Sequence, residues 1–184
     1  TFIDLIHALD EVEGIARYRI SSLEPDLISD ETIDFVANSR RFAPHFHIPL
    51  QSGSDTILAL MKRRYNTTLF RSRIELIRKY MPEAFIGIDV IVGFPGETNE
   101  EFETTYNFLS DLKPAFLHIF PYSKRADTPA ASYDDQVHDS DKTARVERLT
   151  QLSDRLHTEF CAQFKGTAEE VLFESTQRGG KMFG

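Results

Sequence analysis

One cysteine, Cys161, stands in a chain of 184 residues. It excludes an internal disulfide, a cysteine-rich zinc site and a self-contained ligand set for an iron–sulfur cluster, and it points to a reducing compartment. No apolar run approaches the roughly 18 to 20 residues of a membrane span, and no basic, apolar leader opens the sequence; the chain is expected to be cytoplasmic, with no membrane partner. Positive charge is also in deficit. With 21 Lys+Arg against 29 Asp+Glu the net charge is −8, so any contact with nucleic acid needs a local basic patch. What is present suits a folded chain: 41% of residues are hydrophobic, enough for one domain or one domain and a piece of another.

Thr1 opens directly into an amphipathic helical pattern with Phe2, Leu5, Ile6, Leu9 and Val12 on one stripe. At the far end Ala168 to Ser175 reads as a strand, and Gly179-Gly180 supply the turn of a hairpin whose return strand is missing. Both ends suggest a piece of a longer protein.

Between them strands and helices alternate. Ala16 to Ser21 reads as a strand, followed by a helix capped by Ser29 or Asp30. His45 to Leu50 is a second strand, leading through the cap residues Ser52 to Asp55 into a helix with Ile57, Leu58 and Met61, then a helix from Thr68 to Tyr80. Ala84 to Val92 is almost continuously apolar, the composition of a strand buried on both faces in a parallel sheet. Pro95-Gly96 fits a tight turn, Thr98 to Glu101 has capping-box spacing, and Phe102, Tyr106, Leu109 and Leu112 form a helical stripe. A strand from Ala115 to Phe120 and a long helix from Lys142 to Phe164 complete the series, with Cys161 read as a core residue. Strand-to-strand steps long enough for crossovers indicate an α/β fold of parallel βα units, in an open sheet or one curved into a barrel.

Alternation along the strands sorts side chains into two faces. Phe46, Ile48 and Leu50, Ile86, Ile88, Val90 and Val92, and Leu117 with Ile119 belong to a greasy face suited to helices. The opposite face carries His45, His47, Gln51, Asp89 and His118. A carboxylate inside an apolar run costs several kcal/mol unless it is paired or hydrogen-bonded, so Asp89 must have a partner, either structural or a ligand. Gln51 and Glu24 end strands beside turns, where parallel α/β folds bind ligands. Gly93 to Thr98 could bring backbone N–H groups close to a ligand, although the segment is neither a Walker loop nor a GxGxxG fingerprint. Lys62-Arg63-Arg64 is a basic concentration in an acidic chain.

In their order, Arg19-Ile-Ser-Ser-Leu-Glu-Pro25, His47 to Asp55, Met61-Lys-Arg-Arg-Tyr65, Asp89 to Thr98 and Phe120-Pro-Tyr-Ser-Lys-Arg125 resemble the radical S-adenosylmethionine methylthiotransferases. The Ser-Ser-Leu-Glu-Pro form is most similar to the branch that methylthiolates N6-threonylcarbamoyladenosine beside the anticodon of tRNA. The resemblance implies the later part of a partial (βα)6 TIM-like barrel over residues 1–165, the long helix included, then from 166 to 184 a truncated β-segment that starts a C-terminal tRNA-binding β-barrel. It implies S-adenosylmethionine and 4Fe-4S clusters as cofactors, with the CxxxCxxC loop upstream of Thr1 and no catalytic residue or metal ligand in this chain. Glu24, Gln51, Arg63, Asp89, Val92 and Gly93 are the positions implied to hold adenosylmethionine, while Arg64, Lys124 and Arg125 would meet tRNA. A reductant, a sulfur donor and the remaining domains of the same protein are the other implied partners, and the piece alone would be inactive. The sequence departs from the family where Ala126-Asp127 precedes Thr128, since a Gly normally stands before that Thr. Two other readings compete: a barrel metallohydrolase using His45, His47, His118 and Asp89, and a non-catalytic RNA-binding piece.

Overall fold

The computed structural model describes every residue except Glu169, Glu174, Thr176, Phe183 and Gly184. Helix α1 (Phe2–Asp10) begins in a reciprocal capping box between Thr1 and Asp4, and α2 (Asp30–Asn38) begins at Ser29, whose hydroxyl accepts from the Thr32 N–H. Strand β1 (His45–Gln51) then leads through α3 (Asp55–Leu60) and α4 (Thr67–Tyr80) to β2 (Phe85–Val92). Helix α5 (Asn99–Leu112) connects β2 to β3 (Phe116–Pro121), and the long α6 (Asp139–Ala162) follows. The strands pair in the order β1-β2-β3, and both pairings are parallel. Each step between parallel neighbours must carry the chain back along the sheet, which α3 with α4 and then α5 accomplish. The result is an α/β partial barrel-like unit, as expected from the alternation of elements.

One face of this sheet is sealed. Phe46, Ile48, Leu50, Ile86, Ile88, Val90, Val92 and Leu117 are buried in one cluster with Phe70, Ile74, Ile77, Phe102, Leu109, Leu149 and Leu152. Burying each such side chain contributes about 1.5–3 kcal/mol, so this cluster dominates the stability. The other face is half open: His45, His47, Phe85, Asp89, Ile91, Phe116 and His118 are all partly exposed. Sequence alternation therefore describes β2 better than its continuous apolar run does, since only one of its faces is fully buried. Helix α6 covers the end of the sheet beside β3, where the Leu117 N–H donates to Ser153 Oγ at 3.0 Å and removes an otherwise unpaired edge donor. No described helix is long and apolar enough to cross a membrane.

Four expectations need correction. Ala16 to Ser21 is not a strand. It runs beside the β1 side of the sheet and meets it at separated points, an isolated parallel bridge between Tyr18 and Phe42 and a bond from the Leu23 N–H to His47 O, so no ladder forms. The described residues between 168 and 175 form no strand either, and Glu169 and Glu174 lie outside the description. Among the described residues no neighbouring strand pairs with this segment, so β propensity alone does not make it one. The hairpin beyond does have a return strand: β4 (Gln177–Arg178) pairs antiparallel with β5 (Lys181–Met182). Its Gly179-Gly180 turn takes φ of 60° and 75°, the two left-handed positions of a type I′ turn. Cys161 is exposed, because α6 turns its Leu149, Leu152 and Leu156 face inward and leaves the thiol outside.

Asp127 explains the departure before Thr128. Its φ is +63°, a left-handed conformation natural to glycine that Asp tolerates better than most residues. The loop keeps the backbone shape a glycine would give. Asp127→Gly is therefore expected to leave stability unchanged or raise it by up to about 1 kcal/mol, read by thermal or urea unfolding; a loss of that size would mean the Asp side chain itself holds the loop.

Candidate functional site

The site gathers at the C-terminal ends of the parallel strands, where β1 is shaped by its own sequence. Pro49 has no N–H to give the ladder, and the register with β2 shifts between Pro49 and Gln51. Beyond the shift Gln51 takes φ +71°, a costly conformation for a residue with a Cβ. Tyr65 holds this bend, its hydroxyl lying 2.7 Å from Pro49 O and 3.1 Å from Leu50 O. Burial pushes the Tyr65 phenol well above its ordinary value, so it stays a hydrogen-bond donor. Gln51, itself buried, is thereby aimed into a cleft of about 680 Å³ that Arg63, Asp89, Phe94, Tyr122 and Arg125 also line.

Arg63 reaches that cleft because the chain turns sharply after α3. Lys62 adopts φ +56°, and the Arg63 N–H bonds back to Leu58 O at 3.0 Å. Arg63 is thus turned inward and half-buried, while Arg64 is exposed. The Arg63 guanidinium donates from Nη1 to Glu24 Oε1 at 3.1 Å, and its Nε is buried with no partner among the described residues. A buried cationic donor left free beside a cleft is suited to an anionic or carbonyl group of a ligand.

Asp89 lies on the half-open face of β2, and the structure supplies the partner its position demands. His47 Nε2 is 2.6 Å from Asp89 Oδ1; a carboxylate only accepts, so Nε2 carries the proton. The His118 ring stacks on His47 at 4.7 Å between centroids. Burial and the adjacent His47 hold the His118 imidazole below its ordinary pKa, with Asp89 opposing. His45 stands apart, stacked on Phe85 with its buried Nδ1 unpartnered.

Val92 and Gly93 sit differently. The Val92 side chain is in the sealed core. Gly93, at φ +74°, donates its N–H to Glu97 Oε2 at 2.6 Å. Glu97 in turn meets Arg145 of α6, whose Nη1 lies 2.5 Å from Oε2 and 3.0 Å from the Glu97 carbonyl, while Nη2 donates to Asn99 Oδ1 at 3.0 Å. Burial pushes the Glu97 carboxyl up, opposed by the Gly93 N–H and the Arg145 guanidinium. Lys124 and Arg125 are exposed on the loop after β3, and Arg125 borders the cleft.

The structure thus brings Gln51, Arg63 and Asp89 to one cleft, with Glu24 attached through Arg63, while Val92 contributes no side chain to it. Sequence reasoning missed Phe94 and Tyr122 as cleft walls, and Arg145. The last had a signal: it falls in phase with Leu149, Leu152 and Leu156, a cation on an apolar stripe.

A parallel partial barrel with its polar groups at the strand ends defines a class of cofactor-binding α/β barrel units. The radical SAM superfamily model matches residues 2–109. More than half of the chain is covered, and the chain belongs to the radical SAM superfamily, whose cofactors are S-adenosylmethionine and a 4Fe-4S cluster. In fold it is similar to coproporphyrinogen III oxidase (HemN) from Escherichia coli, with TM-score 0.67 and 18% identity over 84% of this chain and 36% of that one. The radical S-adenosylmethionine methyltransferase TsrM from Kitasatospora setae matches with TM-score 0.56 and 15% identity, covering 71% of this chain and 25% of that one. In sequence the chain is similar to threonylcarbamoyladenosine tRNA methylthiotransferase MtaB of Bacillus subtilis, 47% identical over 94% of this chain and 39% of that protein. It is also similar to tRNA-2-methylthio-N(6)-dimethylallyladenosine synthase of Thermobifida fusca, 42% identical over 93% of this chain and 35% of that protein. The chain spans between about a third and two fifths of the length of these curated relatives.

The cleft suits adenosylmethionine: it offers an unpartnered guanidinium donor, a carboxylate, an amide and aromatic walls. The cluster is another matter, since one exposed cysteine cannot furnish its thiolate ligands.

Proposed function

We propose that this chain forms the adenosylmethionine-holding part of a radical SAM methylthiotransferase that modifies tRNA, with N6-threonylcarbamoyladenosine next to the anticodon as the target base. The observation that carries the reading is the convergence of Gln51, Arg63 and Asp89 on one cleft, with Arg63 Nε buried and free. Arg63 holds the methionyl carboxylate, Glu24 and Asp89 accept from the ammonium and ribose groups, and Gln51 fixes orientation. Gly93 and the Val92 main chain shape the adenine end. When bound, adenosylmethionine supplies hydrogen abstraction from carbon and a methyl group; the surrounding side chains orient the two partners and keep water out.

Residues 1–165 act as the later part of the barrel and 166–184 as the start of a tRNA-binding module, with Arg64, Lys124 and Arg125 meeting phosphates. Turnover needs partners from outside this chain: cluster-binding cysteines from the rest of the same protein, a reductant and a sulfur donor. The chain alone is inactive and works in the cytoplasm. Similarity to MtaB favours the threonylcarbamoyl base over the dimethylallyl one.

Adenosylmethionine titrated calorimetrically into the chain is expected to bind, and Arg63→Ala to weaken binding by about 10- to 100-fold, the loss of one charged hydrogen-bonding group. Equal affinity in the variant would reject Arg63 as a ligand. For the substrate, tRNA nucleosides from cells lacking the intact gene should lose 2-methylthio-N6-threonylcarbamoyladenosine; loss of the dimethylallyl product instead would move the protein to the other branch.

A further inference from the structure

We propose that His47, Asp89 and His118 form a three-ligand site for a divalent first-row transition-metal ion on the half-open face of the sheet. Their ligand atoms all lie within 4.8 Å of one another, and two imidazoles with one carboxylate suit iron, cobalt, nickel or zinc. Three adjacent strands present them. In the register, His47 stands opposite Gly87, and Asp89 opposite His118, so the carboxylate meets one imidazole diagonally and the other directly. The His118 ring packs over Gly87: a Cβ built there would lie 3.6 Å from His118 Nε2, in ordinary van der Waals contact.

The three groups need little rearrangement to share an ion. The His47 proton now on Nε2 moves to Nδ1 as the tautomer changes, freeing Nε2 as a ligand in place of its 2.6 Å hydrogen bond. Ligand atoms held about 2.0–2.2 Å from a tetrahedral zinc lie about 3.4 Å apart, so the 2.6 Å His47–Asp89 pair must open and the wider separations, up to 4.8 Å, must close, each within the reach of a side-chain rotation. Three protein ligands leave coordination positions facing the chamber, where a nitrogen or oxygen donor of a bound molecule would complete the shell. His45 is not a member, being held flat against Phe85.

The metal site stands apart from the adenosylmethionine reading, sharing only Asp89, and the two can fail separately. The test is titration of the metal-stripped 184-residue chain with Co²⁺, followed by its visible ligand-field absorption, and with Zn²⁺, followed by metal content after desalting. The expected result is about one ion per chain, with the Co²⁺ spectrum abolished by His118→Ala and by Asp89→Asn and retained by His45→Ala. Far-UV circular dichroism of each variant establishes that the fold persists. Binding no stronger than that of the His47→Ala, Asp89→Asn, His118→Ala triple variant, or binding indifferent to His118→Ala, overturns the site and leaves a hydrogen-bonded pair with a stacked neighbour. Adenosylmethionine binding is read independently with Gln51→Ala and Arg63→Ala, which touch none of the three ligands.

Discussion

Arg145→Met is expected to lose about 3–5 kcal/mol of stability, because it removes the cation and leaves the buried Glu97 charge without compensation. Both side chains are almost inaccessible, 7% exposed for Arg145 and 0% for Glu97, so water cannot take over the lost interaction. The damage spreads beyond one pair. Arg145 also ties the Glu97 carbonyl and Asn99, and Glu97 holds the Gly93 N–H, so α6, the start of α5 and the turn after β2 come loose together. Urea unfolding followed by circular dichroism measures the effect. Adding Glu97→Gln to Arg145→Met should return a large part of the loss, since a neutral amide is cheaper to leave buried than a carboxylate. A single-variant loss below about 1 kcal/mol would mean that the pair is hydrated or replaceable.

Gly53→Ala is the second large effect, expected at about 3 kcal/mol, the upper range for forcing atoms into a packed core. A Cβ at position 53 would stand 2.8 Å from Thr105 Cα and 3.0 Å from Phe108 Cβ. These atoms belong to the body of α5 and cannot swing aside as a side-chain tip could. Gly53 also donates its N–H to Thr105 Oγ1 at 3.1 Å, and Ser52 Oγ is 3.2 Å from the same hydroxyl. Helix α5 would have to retreat from the loop that follows Gln51. Gly87→Ala is the control, with nearest contacts of 3.4 Å and 3.6 Å; it should change stability by less than about 1 kcal/mol. If the two substitutions cost the same, close packing of α5 is not what position 53 requires.

Much of the fold was legible because period and capping agree along the chain. Ser29, Ser54 and Thr98 each cap a helix as their spacing suggests. The parallel pairing followed from crossover length. Thr98 to Glu101 shows the limit: the Thr98 hydroxyl does accept from the Glu101 N–H, yet the Glu101 carboxylate accepts from Ser54 rather than returning to the cap. Local spacing cannot report such tertiary competition. The first expected strand failed for a similar reason, since Tyr18 finds only a brief partner in Phe42.

For the site, alternation correctly set Asp89 and the imidazoles on one face, and the demand that Asp89 be paired is met by His47. Which of Arg63 and Arg64 turns inward was not readable, because the choice depends on the left-handed Lys62. Cleft walls such as Phe94 and Tyr122 look like any other aromatic in sequence. They become part of the site only when the turn after β2 and the loop after β3 come together.

The contrast between a sealed side and an accessible side of the sheet has a consequence for how such a chain can change over generations. Exchanging His118 or Ile91 alters what the chamber offers while hardly disturbing what keeps the chain folded. Losing or gaining a single residue inside β2 is a different event: every side chain past the lesion swaps sides, Asp89 enters the oil and its aliphatic neighbours face the chamber. Families built on this sheet should therefore vary freely by exchange along these strands and confine length differences to the connecting loops.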